Sequence, residues 1–125
     1  MQNERQDLSE RLLDFAADSV KLTAKLNRSA AGRHVGGQLM RAATSCGANY
    51  EEACAAESRA DFVSKCSVSL KEARESKYWL RLLASCDSAL STRLESLIAE
   101  AHELISILTA ILKRARNPNR GSGTA

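Results

Sequence analysis

Proline and aromatic residues are scarce in this sequence. Of its 125 residues, one is proline, Pro118, and aromatic residues make up only 4%. Alanine, leucine, serine and charged residues, most of which favour helices, dominate the chain. This composition is typical of an all-α protein. The length predicts a single domain that can bury a core without a partner.

Motifs for catalysis or cofactor binding are also lacking. The sequence contains no G-x-x-x-x-G-K-[ST], no G-x-G-x-x-G and no H-E-x-x-H. Its two histidines, His34 and His102, are far apart, and alanine occupies the position three residues before each. A di-iron helical bundle would need glutamate there. We therefore expect no catalytic residue, no metal site and no cofactor, and the sequence argues against an enzyme.

No run of about 18 apolar residues occurs, so we expect no membrane span. The first ten residues, MQNERQDLSE, are polar and unlike a signal peptide. These features predict a cytoplasmic protein that makes no membrane contact. The cysteines contain no C-x-x-C pair, and we interpret them as reduced residues that act as small core hydrophobes: Cys46, Cys54, Cys66 and Cys86.

Apolar residues recur at spacings of three and four in four segments, which predicts four helices. Their short connections favour an antiparallel up-down-up-down four-helix bundle. Asp7 and Glu10 match a capping box, and Ser58 is a candidate N-cap. The predicted organisation is a frayed N-terminus over residues 1–6, a bundle over 7–116 with helices at about 8–26, 33–55, 59–85 and 92–116, and a disordered tail over 117–125.

The fourth helix has an apolar strip wider than one partner helix needs. Ile107 and Ile111 widen a heptad-like repeat there. The extra width indicates either a contact between subunits or a broad seam inside the bundle core.

The second helix carries a row of polar residues beside its apolar strip. The row is spaced three, four, four and three, so its members lie along one line of the helix. We expect these side chains to hydrogen-bond to a neighbouring helix or another subunit, with Asn49 and Glu52 largely buried and Glu52 pairing with Arg41 or with a basic residue of the third helix. The row consists of Gln38, Arg41, Ser45, Asn49 and Glu52.

The third helix carries a basic ridge that includes one aromatic residue. Cations interleaved with an aromatic ring suit a phosphate backbone, and the ring suits a stacked base. The alternative is a solvated helix face on which the cations pair with Glu72 and Glu75. The candidate nucleic-acid-binding residues are Lys71, Arg74, Lys77, Tyr78 and Arg81.

The long run through both helices resembles a known bacterial family. The segments QLMRAATSCGANYEEA, SRADF and SLKEARESKYWLRLL are similar to those of the four-helix-bundle proteins of the 23S ribosomal RNA intervening-sequence family. The accessory proteins of diversity-generating retroelements look like relatives of that family. The resemblance implies a bundle that assembles into a ring-shaped homopentamer.

Two functions remain open at this point. One is a non-enzymatic, oligomeric protein that binds RNA or DNA through its basic helix face. The chain's net charge of +3 permits this function without indicating it, although five copies would carry 5 × 3 = +15. The other is a scaffold or accessory module that binds a protein partner, such as a polymerase or reverse transcriptase, through the same surface.

Overall fold

Four helices account for nearly all of the structure, a computed structural model that describes residues 2–86 and 91–118, with side chains for 7–86 and 92–118. They are α1 (Gln2–Thr23), α2 (Ala30–Cys54), α3 (Arg59–Cys86) and α4 (Ser91–Arg116). The described residues form no strand. The all-α prediction is therefore confirmed.

The helices pack as sequential antiparallel neighbours. Gly36 of α2 lies against Thr23, near the end of α1, whereas Gly47 lies against Leu12, nearer its start. Arg41 reaches α3 at Glu72 and Glu75, while the later residue Cys46 reaches the earlier residue Ser69. On α3 and α4, Lys77 meets His102, and Ser67 meets Arg116. For each pair of neighbouring helices, contacts made later in one helix fall earlier in the other, so the helices are antiparallel and form an up-down-up-down bundle. Arg11 of α1 also contacts Glu100 of α4, so the first and last helices are neighbours as well.

The predicted inward strips of all four helices supply the core. Burying the large apolar side chains stabilises the fold by about 1.5–3 kcal/mol each. Ile107 and Ile111 are half-buried and pack against this core, and whether they also contact another subunit stays a prediction. The largest fully buried side chains include Phe15, Tyr50, Leu12, Leu22, Leu39, Leu80, Leu94, Leu104 and Leu108.

The cysteines divide between core and surface. Cys46 and Cys66 are buried as predicted, and Cys54 is half-buried. Burial raises the pKa of the Cys46 thiol to about 11, so this thiol stays protonated and unreactive at neutral pH. The core interpretation is wrong for Cys86, which is exposed because it ends α3 beyond the last buried residue of that helix, Leu83.

Two helix starts differ from the prediction. Helix α1 begins at Gln2, within the predicted frayed segment, and so Asp7 is an interior residue and not a cap. Residues 2–6 lack glycine and proline, so nothing in them stops the helix. Helix α2 begins at Ala30 because the Ser29 side chain caps it, accepting a hydrogen bond from the backbone N–H of Gly32 at 3.0 Å.

The remaining boundaries lie close to the predicted ones. Ser58 caps α3 as expected, since its hydroxyl accepts the N–H of Asp61 at 3.1 Å. Helix α3 ends at Cys86, and α4 spans Ser91–Arg116. The last seven residues of the predicted disordered tail lie outside the described residues.

The glycines at the start of α2 allow a matched test of backbone packing. A Cβ at Gly32 would overlap the carbonyl oxygen of Leu26, whereas a Cβ at Gly37 would meet no atom within 4 Å. We expect Gly37→Ala to raise the free energy of unfolding by about 0.5–1 kcal/mol, since alanine favours the helix. Gly32→Ala should lower it, because the α1–α2 loop must shift. Urea denaturation of both variants measures the effects, and equal stabilisation would contradict this close approach.

Candidate nucleic-acid interface on the α3–α4 face

The polar row of α2 lies at the outer edge of the α2–α3 contact. Arg41 and Glu52 are exposed, while Gln38, Ser45 and Asn49 are half-buried. The predicted burial against a neighbouring helix is thus wrong for Glu52 and only partly met for Asn49. The apolar strip beside the row takes the inward position, which turns the row outward. A role of this row between subunits stays a prediction.

The hydrogen bonds of the row also differ from expectation. The amide of Asn49 donates to the Ser45 carbonyl oxygen at 2.9 Å and to the Ser45 hydroxyl at 3.0 Å, so it bonds within its own helix. The expected pair between Glu52 and Arg41 is wrong, because Arg41 pairs with Glu72 and Glu75 of α3.

The pairing of Glu72 and Glu75 affects the charge on the outer surface of α3. The Arg41 guanidinium donates to Glu72 at 3.1 Å and also to Glu75. Both carboxylates therefore pair with Arg41 of α2 and not with the cations of the basic ridge. The expected pairing of these cations with Glu72 and Glu75 is not found among the described residues, and the choice between a solvated face and a binding face stays a prediction.

Trp79 anchors the same network and was missed from the sequence. Its indole N–H donates to Oε2 of Glu75 at 3.0 Å. The His34 ring of α2 meets the indole edge-on, with centroids 6.3 Å apart. The i, i+4 spacing of Glu75 and Trp79 could have indicated the hydrogen bond, but not the histidine, which comes from another helix.

This network sets an expectation for acid stability. The Trp79 N–H, followed by Arg41, holds the pKa of Glu75 below its ordinary value, against the opposing effect of burial. Because the pKa of Glu75 is lower in the folded than in the unfolded protein, its ionised form stabilises the fold at pH values above the ordinary carboxyl pKa of about 4.3. This stabilisation is lost as the pH falls from there through the lowered pKa of the folded state.

We therefore expect Glu75→Gln to reduce the dependence of unfolding free energy on pH below about 5, with a lower stability at pH 7 than the native protein. Urea titrations at several pH values, followed by the fluorescence of Trp79, measure it. Glu51→Gln, a change at an exposed glutamate on α2, is the control. An acid profile of Glu75→Gln identical to that of the native protein would contradict this role.

Arg11 of α1 binds the acidic residues of α4. It donates to the Glu100 carboxylate at 3.0 and 2.6 Å and to Glu103 at 3.2 Å. The hydrogen bond to Glu100 contributes most to a raised pKa of Arg11. Both carboxylates of this part of α4 thus face α1. Sequence reasoning missed this clamp because the partners are 89 or more positions apart.

The basic ridge of α3 lies on the surface as predicted from its spacing. Lys71, Arg74 and Arg81 are exposed and form no ion pair with any described residue. Lys77 is half-buried, and its ammonium group lies 3.0 Å from Nδ1 of His102 on α4. Tyr78 exposes 57% of its surface.

Helix α4 adds two cations that the sequence left unassigned. Arg116 donates to the hydroxyl of Ser67 on α3 at 3.0 Å, which places it on the α3 side of α4. Lys113 is exposed and precedes Arg116 by three residues, so it lies along the same side of the helix. We use the term basic face for Lys71, Arg74, Lys77, Arg81, Lys113 and Arg116, with Tyr78 and His102 among them.

The acidic residues that lie among these cations are paired with arginines of other helices. Between Lys71 and Arg81 they are Glu72 and Glu75, which pair with Arg41; between His102 and Arg116 the acidic residue is Glu103, which pairs with Arg11. Exposed cations that no carboxylate pairs with contribute a positive potential that attracts polyanions.

Other chemistry is not assembled in the described part of the chain. No group of three or more histidine, cysteine, aspartate or glutamate side chains is arranged there to hold a metal ion. None of the described helices is long and apolar enough to cross a membrane.

Comparison with known proteins identifies the family. The family model for the 23S rRNA-intervening sequence protein matches residues 4–110. A crystal structure at 1.70 Å of a protein of unknown function from the S23 ribosomal protein family of Bacteroides thetaiotaomicron is similar, with 35% identity and a TM-score of 0.80. The match covers 87% of this chain and 97% of that protein. No curated protein matches the sequence. With its four helices and a match over most of its length, the chain belongs to the 23S rRNA-intervening sequence protein family.

Proposed function

We propose that this protein is a non-enzymatic, cytoplasmic, oligomeric protein that binds nucleic acid, RNA in the first instance, through the basic face of α3 and α4. The observation that carries the proposal is the set of exposed cations on α3 and α4, whose neighbouring glutamates pair with Arg11 and Arg41 of other helices. The family name, which refers to ribosomal RNA, favours RNA over DNA as the ligand.

The helices place the cations at a spacing that suits a phosphate backbone. Arg74 and Arg81 are seven residues apart, or about 10 Å along α3. Lys113 and Arg116 supply a second row on the adjacent helix, whose axis lies about 8–10 Å away. Two rows of long, exposed cationic side chains can follow a nucleic-acid strand without reading its sequence.

Assembly would multiply this charge, and exposed apolar residues support it. Leu13 and Val20 of α1 are exposed and lie seven residues apart on one side of the helix. Met40 of α2 is also exposed. It lies seven residues before Gly47, which contacts α1, so Met40 is on the side of α2 that is next to α1. We propose that the α1–α2 surface around these apolar residues contacts another copy in a closed ring, with the homopentamer as the expected order.

One experiment tests binding and assembly together. Light scattering coupled to gel filtration measures the mass, and fluorescence anisotropy measures binding of a labelled, structured RNA across a salt series. We expect a pentamer whose affinity falls steeply with salt, since each neutralised phosphate adds about −0.7 to −0.9 to the slope of log affinity against log salt. A monomer at micromolar concentration would contradict the assembly. Absence of RNA and DNA binding at low salt would contradict the nucleic-acid function.

A scaffold that binds a protein is the second candidate. The same exposed Leu13, Val20 and Met40 favour it, because apolar surface clusters often mark protein interfaces. A reverse transcriptase is the partner expected from the resemblance to retroelement accessory proteins. Binding of such a polymerase that is lost in Leu13→Asp and retained in Arg74→Gln, with the oligomer mass unchanged in both variants, would favour this function over the first.

A further inference from the structure

We infer that the basic face takes single-stranded or unpaired nucleic acid, with Tyr78 as the platform on which a base stacks. This inference rests on the proposed function, since it concerns what the basic face binds. It is based on an exposed aromatic ring held in place among cations.

The first step is the exposure of Tyr78. With 57% of its surface exposed, it is one of the most exposed large hydrophobic side chains among the described residues. Exposure of an aromatic ring to water is unfavourable, so burying one face of the ring against a ligand lowers the free energy. Arg74 precedes it by four residues and Arg81 follows it by three, so cations lie one helical turn to either side of the ring.

The second step is that the ring is held in position. Tyr78 meets Trp79 edge-on, with centroids 5.1 Å apart and ring planes at 73°. Trp79 is in turn fixed by its hydrogen bond to Glu75 and by His34. A preorganised ring loses little conformational freedom when a ligand stacks on it, which favours binding.

The third step separates single strands from duplexes. In a duplex each base is covered above and below by its neighbours, so an external ring reaches phosphates and sugars but no base face. In an unpaired segment the bases can turn outward and stack on an aromatic side chain. Cations alone bind the phosphates of duplexes and single strands alike, whereas an exposed tyrosine between the cations adds affinity only for unpaired nucleic acid.

The structure also provides the reporter for a test. Trp79 is the single tryptophan of the chain and touches Tyr78, so stacking at Tyr78 should alter its fluorescence. The probes are an oligouridylate of about 12 nucleotides, within the site sizes known for single-strand-binding folds, and a blunt RNA duplex of equal length. The variants are Tyr78→Phe, which keeps the ring, and Tyr78→Leu, which keeps an apolar side chain of similar size without a π face.

We expect the oligouridylate to bind the native protein with a change in Trp79 fluorescence, and Tyr78→Phe to bind within about twofold of it. Tyr78→Leu should bind the single strand about 5- to 150-fold more weakly, the range for one stacked base. Its salt slope should match the native slope, because no charge is lost. Its duplex affinity should also be unchanged, and thermal melting should show that it is folded.

Two results would overturn the role of Tyr78 in stacking while leaving the basic face as the binding surface. One is native-like binding of the single strand by Tyr78→Leu, and the other is an equal loss for single strand and duplex. Failure of the native protein to bind either probe would instead overturn the proposed function itself.

Discussion

Changing Arg74, Arg81 and Lys113 together to glutamine is expected to weaken single-stranded RNA binding by about two orders of magnitude at 0.1 M salt. Each phosphate contact contributes about 0.7 to the slope of log affinity against log salt for single strands, which at 0.1 M corresponds to about 0.7 log units of affinity. Three lost contacts therefore remove about 2 log units. All three side chains are exposed and unpaired with any described carboxylate, so their loss should leave the fold intact.

The matched control changes Lys21, Lys25 and Arg28 to glutamine. These residues are exposed on α1 and the loop that follows it, and none belongs to the basic face. Both triple variants lower the net charge from +3 by three, to zero. Anisotropy titrations should show a flattened salt slope in the first variant and a nearly native slope in the second. An equal loss in both would mean that affinity follows net charge, and the basic face would then have no special role.

Leu104→Ala is expected to lower the free energy of unfolding by about 2–5 kcal/mol. Leu104 is fully buried, with 0% exposure, so its truncation removes buried methyl groups and leaves a cavity that the close-packed helices fill only in part. Since a domain of this kind has a stability of about 5–15 kcal/mol, this single change removes a large fraction of it. Urea denaturation followed by helical circular dichroism measures the loss.

Val68→Ala is the control, because a truncation to alanine falls there on a side chain that is 38% exposed and belongs to neither proposed interface. We expect it to alter the stability by less than about 0.5 kcal/mol. The oligomer mass is measured in the same samples, since dissociation and unfolding are linked in an assembled protein. Similar losses in the two variants would contradict the distinction between core and surface on which this description of the fold depends.

The secondary structure could be predicted from the sequence because its signals are local. The spacing of Leu12, Phe15, Ser19 and Leu22 identifies the inward strip of α1, and all four are buried. Ser58 was recognisable as a cap because its partner is three residues away. The cap at Ser29 was overlooked among the loop-forming residues around it, which displaced the predicted start of α2 by three residues.

Pairings between helices could not be predicted in the same way. Periodicity places a side chain around its own helix, but its partner depends on how the neighbouring helix is rotated about its axis. Arg41 meets Glu72, 31 positions away, and Arg11 meets Glu100, 89 positions away. Nothing in the local spacing of either arginine indicates these distant carboxylates.

The sequence by itself determined the four helices, their inward strips and the basic ridge of α3, since each follows from spacing along one helix. Tertiary structure alone decided that Arg11 and Arg41 pair with the glutamates of α4 and α3, and that Lys113 and Arg116 extend the ridge across α4. The physical reason is that surface potential is a sum over charges on different helices. That sum is fixed only when packing sets which faces meet and which remain in solvent.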